Sequence, residues 1–443
     1  MPRLFGTDGI RGVANVDLKP TIAFALGRAT AHRLIGAGGA LVVGQDTRRS
    51  CDMFVAAISA GATSMGVEVH QVGVVPTPAL AFLAGQGDFA AGIMVSASHN
   101  PSDDNGLKVL DQRGLKLDDD IEDELEALIW RSEELGGVGN AELGRIHDAS
   151  GLLERYRDSR LGLARSISTE VRVVVDCANG SGGVVGPEVL AATGARVEVI
   201  HNDPDGVNIN VRAGATAPAS LAAEVLARGA DVGFALDGDA DRLIAVDASG
   251  EVVDGDQVLG ILALDRLARG VLTNGGLVVS VLSNGGLQAV VEAAGGQVIR
   301  TPVGDKYILE GMLVSGASLG GEKSGHVIVL EHTTSGDGVV TALEVLRVMA
   351  RQGASLRDLA AQIPLLPQQQ RAVAARHRDH WEGDRVLQRA IKDAKTALGP
   401  GGRILVRPSG TEPALRVMVE GTDAPLVVEL ADHLARLAGE RLN

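Results

Sequence analysis

Three stretches of this chain share one plan: a Val-rich strand, a polar or glycine turn, a helix, then a short strand led in by glycine. The first is Leu41-Val-Val-Gly-Gln-Asp46, followed by an Ala-rich helix to Met65-Gly-Val-Glu-Val69. The second is Val171-Arg-Val-Val-Val-Asp-Cys-Ala-Asn-Gly180, with its helix ending at Thr193-Gly-Ala-Arg-Val197. The third is Leu277-Val-Val-Ser-Val-Leu-Ser-Asn-Gly-Gly286, followed by Ala294-Gly-Gly-Gln-Val298. Strand–helix–strand units recurring at about 110–130 residues predict three similar α/β domains, each a mixed sheet covered by helices. The period is too long for a solenoid.

Boundaries are expected near Ala149-Ser150-Gly151, near Ser249-Gly250 and in Ile363-Pro-Leu-Leu-Pro-Gln-Gln-Gln370. They divide the chain into residues 1–150, 151–250, 251–366 and 367–443. The last part has another grammar: a strand over 371–376, a helix over 383–398, two strands flanking Arg407-Pro-Ser-Gly-Thr411, and a terminal helix over 424–442. It reads as a smaller α+β domain. The run Asp118-Asp-Asp120 is the N-terminus of a helix over 121–130, where carboxylates favour the dipole, and is assigned no metal.

Glycine is the compositional outlier. Fifty-eight glycines in 443 residues is well above the usual share of roughly 7%, and fits many tight loops approaching ligands. A net charge of −15 argues against nucleic acid or anionic membranes as partners, so any phosphate site must be locally basic. Two cysteines, Cys51 and Cys177, are too few for a disulfide framework and suit a reducing compartment. The N-terminus has no apolar leader, and no apolar stretch reaches about 18 residues. A cytoplasmic location is expected.

The chemistry concentrates in three segments. Gly92-Ile-Met-Val-Ser-Ala-Ser-His-Asn-Pro101 delivers two serines, a histidine and an asparagine from a buried strand onto a turn. Open α/β sheets put their chemistry at such strand ends. Ser98 and His99 are immediate neighbours, so on extended backbone they would face opposite ways, which argues against a Ser–His base pair. No G-x-S-x-G elbow surrounds either serine. In Leu236-Asp-Gly-Asp-Ala-Asp-Arg242, Asp237, Asp239 and Asp241 alternate after an apolar stretch. On an extended loop they surround one point, a set that suits a hard divalent cation; the bland alternative is a solvated acidic turn. An EF-hand is excluded, since the sixth and twelfth loop places hold Arg242 and Ala248. Arg407-Pro-Ser-Gly-Thr-Glu-Pro413, with Arg416 beyond, offers hydroxyls, turn N–H groups and two guanidinium forks to a phosphate. Taken alone it equally suits an ordinary turn between strands. Gly180-Ser-Gly-Gly-Val-Val-Gly186 misses the dinucleotide spacing and no P-loop is present, so ATP and NAD are not suggested.

Together these segments resemble the α-D-phosphohexomutase family. Ser-Ala-Ser-His-Asn-Pro is similar to its phosphoserine loop, Asp-Gly-Asp-Ala-Asp-Arg to its magnesium loop, and Arg-Pro-Ser-Gly-Thr-Glu-Pro to its phosphate loop. Gly321-Glu-Lys-Ser-Gly-His326 is similar to its sugar loop. The matches run in order from residue 4 to residue 416. The opening Leu4-Phe-Gly-Thr-Asp-Gly-Ile-Arg-Gly12 and Val303-Gly-Asp-Lys-Tyr307 look like the bacterial branch that acts on glucosamine phosphates.

The resemblance implies four domains around a central cleft and transfer of phosphate between O6 and O1 of a sugar through a phosphoserine enzyme. It implies Ser98, and not Ser96, as the phosphorylated residue. Asp237, Asp239 and Asp241 would bind one Mg²⁺ per subunit, with a phosphoserine oxygen completing the set. The resemblance points to Lys108, with Arg11 close to the reacting phosphate. By their places in the loops, Arg242 could reach the transferring phosphoryl group and His99, like Lys108, could contact phosphate or shuttle the sugar hydroxyl proton. The alternative for His99 is an imidazole that only braces the loop. Glu322, Ser324 and His326 would meet the sugar, and Arg407, Ser409, Gly410, Thr411 and Arg416 the phosphate that is not reacting. A sugar 1,6-bisphosphate would be intermediate and activator. The expected partner is a small sugar phosphate, with no nucleic acid and no membrane, and bacterial members imply a homodimer. Glucosamine 6-phosphate is the expected substrate, converted to glucosamine 1-phosphate for cell-wall precursors. Lys323 and Lys306 depart from that branch, which commonly has glutamine and arginine there, so mannose or glucose phosphates are the alternative. A non-catalytic sugar-phosphate sensor would need neither Ser98 nor the aspartates. A metal-dependent phosphatase would lack a second nucleophile or a dinuclear ligand set.

Overall fold

The computed structural model describes residues 3–6, 8–409 and 413–443. Two compact bodies are formed, Met1–Val281 with Gly295–Gln362, and Leu282–Ala294 with Ile363–Asn443.

The first body holds three sheets of one design. In the first, Ala40–Gln45 lies between parallel Glu68–Val74 and Ala91–Val95, and Ala91–Val95 turns back antiparallel into Asp104–Asp111. In the second, Arg172–Asp176 lies between parallel Arg196–Ile200 and Val232–Leu236, which turns back into Leu243–Asp247. In the third, Gly276–Ser280 lies between parallel Gln297–Thr301 and Leu319–Gly321, which turns back into Val327–Val329. The serine segment, the aspartate segment and Glu322–His326 are thus the same hairpin turn in three successive sheets. Each follows the carboxyl end of a fully buried parallel strand, the place where α/β sheets present ligands.

The central strands are Val-rich because both faces are covered: Val173, Val174, Val175, Leu277, Val278 and Val279 are all buried. The helix expected over 121–130 spans Asp119–Trp130, with Asp119, Asp120 and Glu122 in its first turn. Cys51 and Cys177 are free and buried.

In the second body three antiparallel strands lie in the order Gln368–Ala374, Ala414–Glu420, Arg403–Pro408. Helices Arg385–Leu398 and Ala424–Leu442 close one core through Leu387, Leu415, Val417, Val427 and Leu434. Two of the segments expected at domain boundaries carry regular structure. Gln368, Gln369 and Gln370 pair with Glu420, Val419 and Met418, because a strand facing solvent accepts polar side chains. Ser249-Gly250 is a turn: Asp247 takes the Ser249 N–H and hydroxyl, and Val252–Val253 then joins the second sheet.

One buried ion pair joins helices distant in sequence. Asp337 caps helix Gly338–Gln352 by accepting the Val340 N–H at 3.0 Å, and its other oxygen accepts from Tyr156 Oη at 2.9 Å and Arg160 Nε at 3.1 Å. Arg160 lies over the Tyr156 and Phe82 rings, and neither charged side chain exceeds 1% exposure. Removing one partner strands the other charge in a dry core. Asp337→Ala is therefore expected to destabilise by about 3–5 kcal/mol, and Tyr156→Phe by only about 1 kcal/mol, read as shifts in the urea unfolding midpoint. Equal effects of the two would refute the charge argument.

Candidate active site

Ser98 is fully buried and its backbone is left-handed, with φ +53°. That conformation corrects the expectation drawn from extended geometry. It turns successive side chains toward one side, and Ser98 Oγ lies 3.2 Å from His99 Nδ1. The same hydroxyl donates to Asp237 Oδ2 at 2.6 Å. Ser96 is engaged differently: its hydroxyl donates to buried Asp46 at 2.6 Å and accepts the Ser98 N–H at 2.9 Å.

Asp237, Asp239 and Asp241 are buried, and one carboxylate oxygen from each falls within 4.8 Å of the others. Asp239 Oδ2 accepts from Thr77 Oγ1 at 2.7 Å and Lys108 Nζ at 2.8 Å. Asp239 Oδ1 and Asp241 Oδ1 are buried without a protein donor. Burial, then the neighbouring Asp241 and Asp239, pushes the Asp237 carboxyl well above the usual range. Burial also lifts Asp241, but Lys108, His326 and Arg242 outweigh it and hold that group low. Orphaned oxygens on converging hard ligands fit a divalent cation and not a solvated turn.

Three cationic groups act on this cluster, and a fourth, Lys116, holds Asp8 beside them. Lys108, 1% exposed, reaches Asp239, Asp8 at 3.4 Å and Asp241 at 3.8 Å; these carboxylates overcome its burial and raise its pKa, so it is an ammonium. Arg11 bonds Asp8 and donates to Ala97 O at 3.1 Å and Asn100 Oδ1 at 3.2 Å. Arg242 Nε lies 3.7 Å from Asp241 and has no hydrogen-bond partner. Lys116 bridges Asp8 and, at 2.5 Å, Asp305. Burial, reinforced by Arg242 and Arg11, lowers His99 to about 4, leaving a neutral imidazole.

A cavity of about 320 Å³ opens on Lys108, Asp241, His326, Lys116 and Asp305, within the size range of small-ligand sites. His326 Nε2 accepts the Gly336 N–H at 3.0 Å, and its Nδ1 faces Asp241 at 3.7 Å, so the ring abuts the aspartate loop. Glu322 accepts the Gly304 N–H at 3.1 Å, while the Ser324 hydroxyl is buried without a partner. In the second body Arg407 and Arg416 stand opposite one another in register, and Ser409 N–H closes the hairpin on Ala414 O at 2.8 Å. Gly410 and Thr411 lie outside the described residues.

The residues unnoticed in sequence are Asp8, Asp46, Arg48, Thr77, Lys116 and Asn210. A signal existed for two of them. Asp46 and Arg48 follow the carboxyl end of the apolar strand Ala40–Gln45, the position that already singled out Ser98.

The chain matches four consecutive phosphoglucomutase/phosphomannomutase domains: α/β/α domain I over residues 2–136, domain II over 154–250, domain III over 254–365 and the C-terminal domain over 369–437. It is 49% identical over 441 residues to a phosphoglucosamine mutase of Moorella thermoacetica, covering 99% of each chain. It is 44% identical to one of Desulforamulus reducens, covering 99% of this chain and all of the relative. Among solved structures, a phosphoglucomutase/phosphomannomutase family protein from Burkholderia thailandensis superposes with a TM-score of 0.83 at 25% identity, over 100% of this chain and 98% of the other. Aspergillus fumigatus N-acetylphosphoglucosamine mutase, solved with GlcNAc-6P and magnesium, has the same fold: TM-score 0.71 at 20% identity, over 99% and 96%. With four domains matched in order and a relative 49% identical over nearly its whole length, the chain belongs to the phosphoglucomutase/phosphomannomutase family of α-D-phosphohexomutases.

Proposed function

We propose that this protein is a phosphoglucosamine mutase, an intramolecular phosphotransferase interconverting glucosamine 6-phosphate and glucosamine 1-phosphate. The observation that carries the reading is the buried Ser98 hydroxyl, 2.6 Å from Asp237 and beside two further carboxylates with orphaned oxygens. The full-length relatives of that name support it.

In the resting enzyme Ser98 Oγ carries a phosphoryl group. Its P–O bond breaks as a bond forms to the sugar O1, whose hydroxyl proton leaves to a base. The resulting 1,6-bisphosphate turns over, and its 6-phosphoryl group returns to Ser98 as O6 takes up a proton. Arg11 and Arg242 carry guanidinium forks suited to phosphoryl oxygens. Lys108, held as an ammonium, supplies charge and a proton donor rather than a base. Neutral His99 braces the serine and can accept a proton. By the family resemblance, Arg407, Ser409, Gly410, Thr411 and Arg416 would hold the phosphate that is not reacting.

Three carboxylates beside a phosphoserine bring about five negative charges together, each pair repelling by roughly 4 kcal/mol at about 4 Å and an effective dielectric near 20. Asp237, Asp239 and Asp241 would hold Mg²⁺, which when bound neutralises that charge and polarises the phosphoryl group. A homodimer and a cytoplasmic location belong to the same proposal. No helix among the described residues is long and apolar enough to cross a membrane.

Both lysines that depart from the glucosamine branch face carboxylates. Lys306 donates to Asp119 at 2.6 Å and lies 3.6 Å from Glu122, and Lys323 lies 3.7 Å from Asp254. A lysine so held presents less charge to a substrate amine, leaving the sugar to Glu322 and Ser324.

Ser98→Ala is expected to lose nearly all turnover, and peptide mapping of active enzyme should find phosphate on Ser98 and none on Ser96. Full activity in Ser98→Ala would sink the phosphoserine route. Chelation with EDTA should abolish activity reversibly, and Asp239→Asn should raise the Mg²⁺ concentration needed for half-activity; indifference to both would exclude the cation. In a substrate panel primed with sugar bisphosphate, kcat/KM should favour glucosamine 6-phosphate. An equal or larger value for glucose or mannose 6-phosphate would overturn the specificity.

A further inference from the structure

Ser98 occupies a backbone region that a side chain with a Cβ disfavours, so its surroundings must hold it there. Two donors do so through the same pair of carbonyls. Arg48 Nη2 donates to Ser98 O at 3.0 Å and Asn100 O at 2.8 Å. Asn210 Nδ2 donates to Ser98 O at 2.8 Å and Asn100 O at 3.1 Å. Arg48 Nη1 adds Pro101 O and, at 3.0 Å, Asp104 O. Its own aim is fixed by Asp46, which accepts from Nε and from the backbone N–H, each at 2.9 Å. Arg48 is fully buried, so its guanidinium has no competing water.

The two donors come from different sheets. Arg48 follows a strand of the serine's own sheet, whereas Asn210 lies beyond Arg196–Ile200 of the sheet that carries the aspartates. The Asn210 amide can be oriented only one way, since two carbonyl oxygens demand a donor. Its backbone is anchored by the Asn210 N–H to Ala178 O at 2.9 Å. Gly238, between two of the aspartates, lies flush against the same turn: a Cβ there would stand 2.5 Å from Ser98 O and 3.0 Å from Asn210 Nδ2.

We propose that Arg48 and Asn210 are positioning residues for phosphoryl transfer, clamping the Ser98–Asn100 carbonyls, with Asn210 keeping the serine in register with the aspartate loop. Neither touches the reacting atoms. The proposal rests on the phosphoserine reading above, and it predicts a defect in the chemical step with substrate binding preserved.

Asn210→Asp and Asn210→Gly test it. The first sets a carboxylate against two carbonyls; the second removes only the donor, and glycine accepts the φ of +61° at this position. Misplacing a reacting group by about 1 Å costs on the order of 100-fold in rate. Both variants should lose about 100-fold in kcat, and as much in the rate at which glucose 1,6-bisphosphate phosphorylates Ser98. KM should stay within about threefold, the pattern of an interaction lost in the transition state. The phosphoserine ³¹P resonance, a single line in the parent, should broaden or split. Asn210→Gly with parental kcat and resonance overturns the clamp, as does a raised KM with kcat unchanged. A parent enzyme that takes no phosphate at Ser98 overturns the phosphoserine reading itself.

Discussion

Three carboxylates buried within 4.8 Å of one another are the constraint around which the rest of the first body is arranged. Burial alone makes each of them costly, and their proximity adds mutual repulsion. The protein answers with an ammonium at Lys108, guanidinium groups at Arg11 and Arg242, and the buried His326 ring. Those cations need partners of their own. Asp8 is shared by Arg11, Lys108 and Lys116, and Asp305 takes the far side of Lys116. The result is a ladder of alternating charges running from the aspartate loop to the N-terminus of helix Asp305–Ser315. Even so, two oxygens of the three aspartates are left without a protein donor, an arrangement that a bound cation would complete.

The repeated sheets explain how residues so far apart in sequence converge. In each, two parallel strands flank a central one, and one of them reverses into an antiparallel partner. At each reversal the chain leaves the buried centre of the sheet at its carboxyl end and turns straight back into it. Three copies of that reversal supply the serine, the aspartates and the Glu322–His326 loop. Chemistry is therefore carried by turns whose ends are fixed by fully buried strands. This gives loop residues the precision of a rigid scaffold.

Much of this was legible in the sequence because the signals are local. Alternating aspartates after an apolar run, a serine turn stopped by Pro101, and Val-rich strands at regular spacing need no tertiary information. What escaped notice depends on conformation or on long-range contact. Extended backbone would set Ser98 and His99 on opposite faces; a φ of +53° cancels that alternation and brings them together, although the Ser98 hydroxyl gives its proton to Asp237. The strand expected from residue 371 begins at Gln368, because the polarity of Gln368–Gln370 is local and the partner strand, some fifty residues on, is not. Asn210 has no local signature at all: its importance comes from two carbonyls more than one hundred residues away in the chain.

The glycine excess has its explanation in the same place. Where the hairpin turns meet, backbone packs directly on backbone. Gly238 of the aspartate turn faces the Ser98 carbonyl, and Gly325 of the Glu322–His326 turn faces the carbonyl of Leu243 beside the aspartates, each too closely for a Cβ. Side chains at these points would push the serine, aspartate and Glu322–His326 turns apart by an atom's width. An atom's width is enough to break the 2.6 Å contact between the Ser98 hydroxyl and Asp237. The glycines are therefore not flexible joints. They allow three turns from three sheets to be packed as one solid, and the carbonyl clamp of Arg48 and Asn210 is the polar counterpart of that packing.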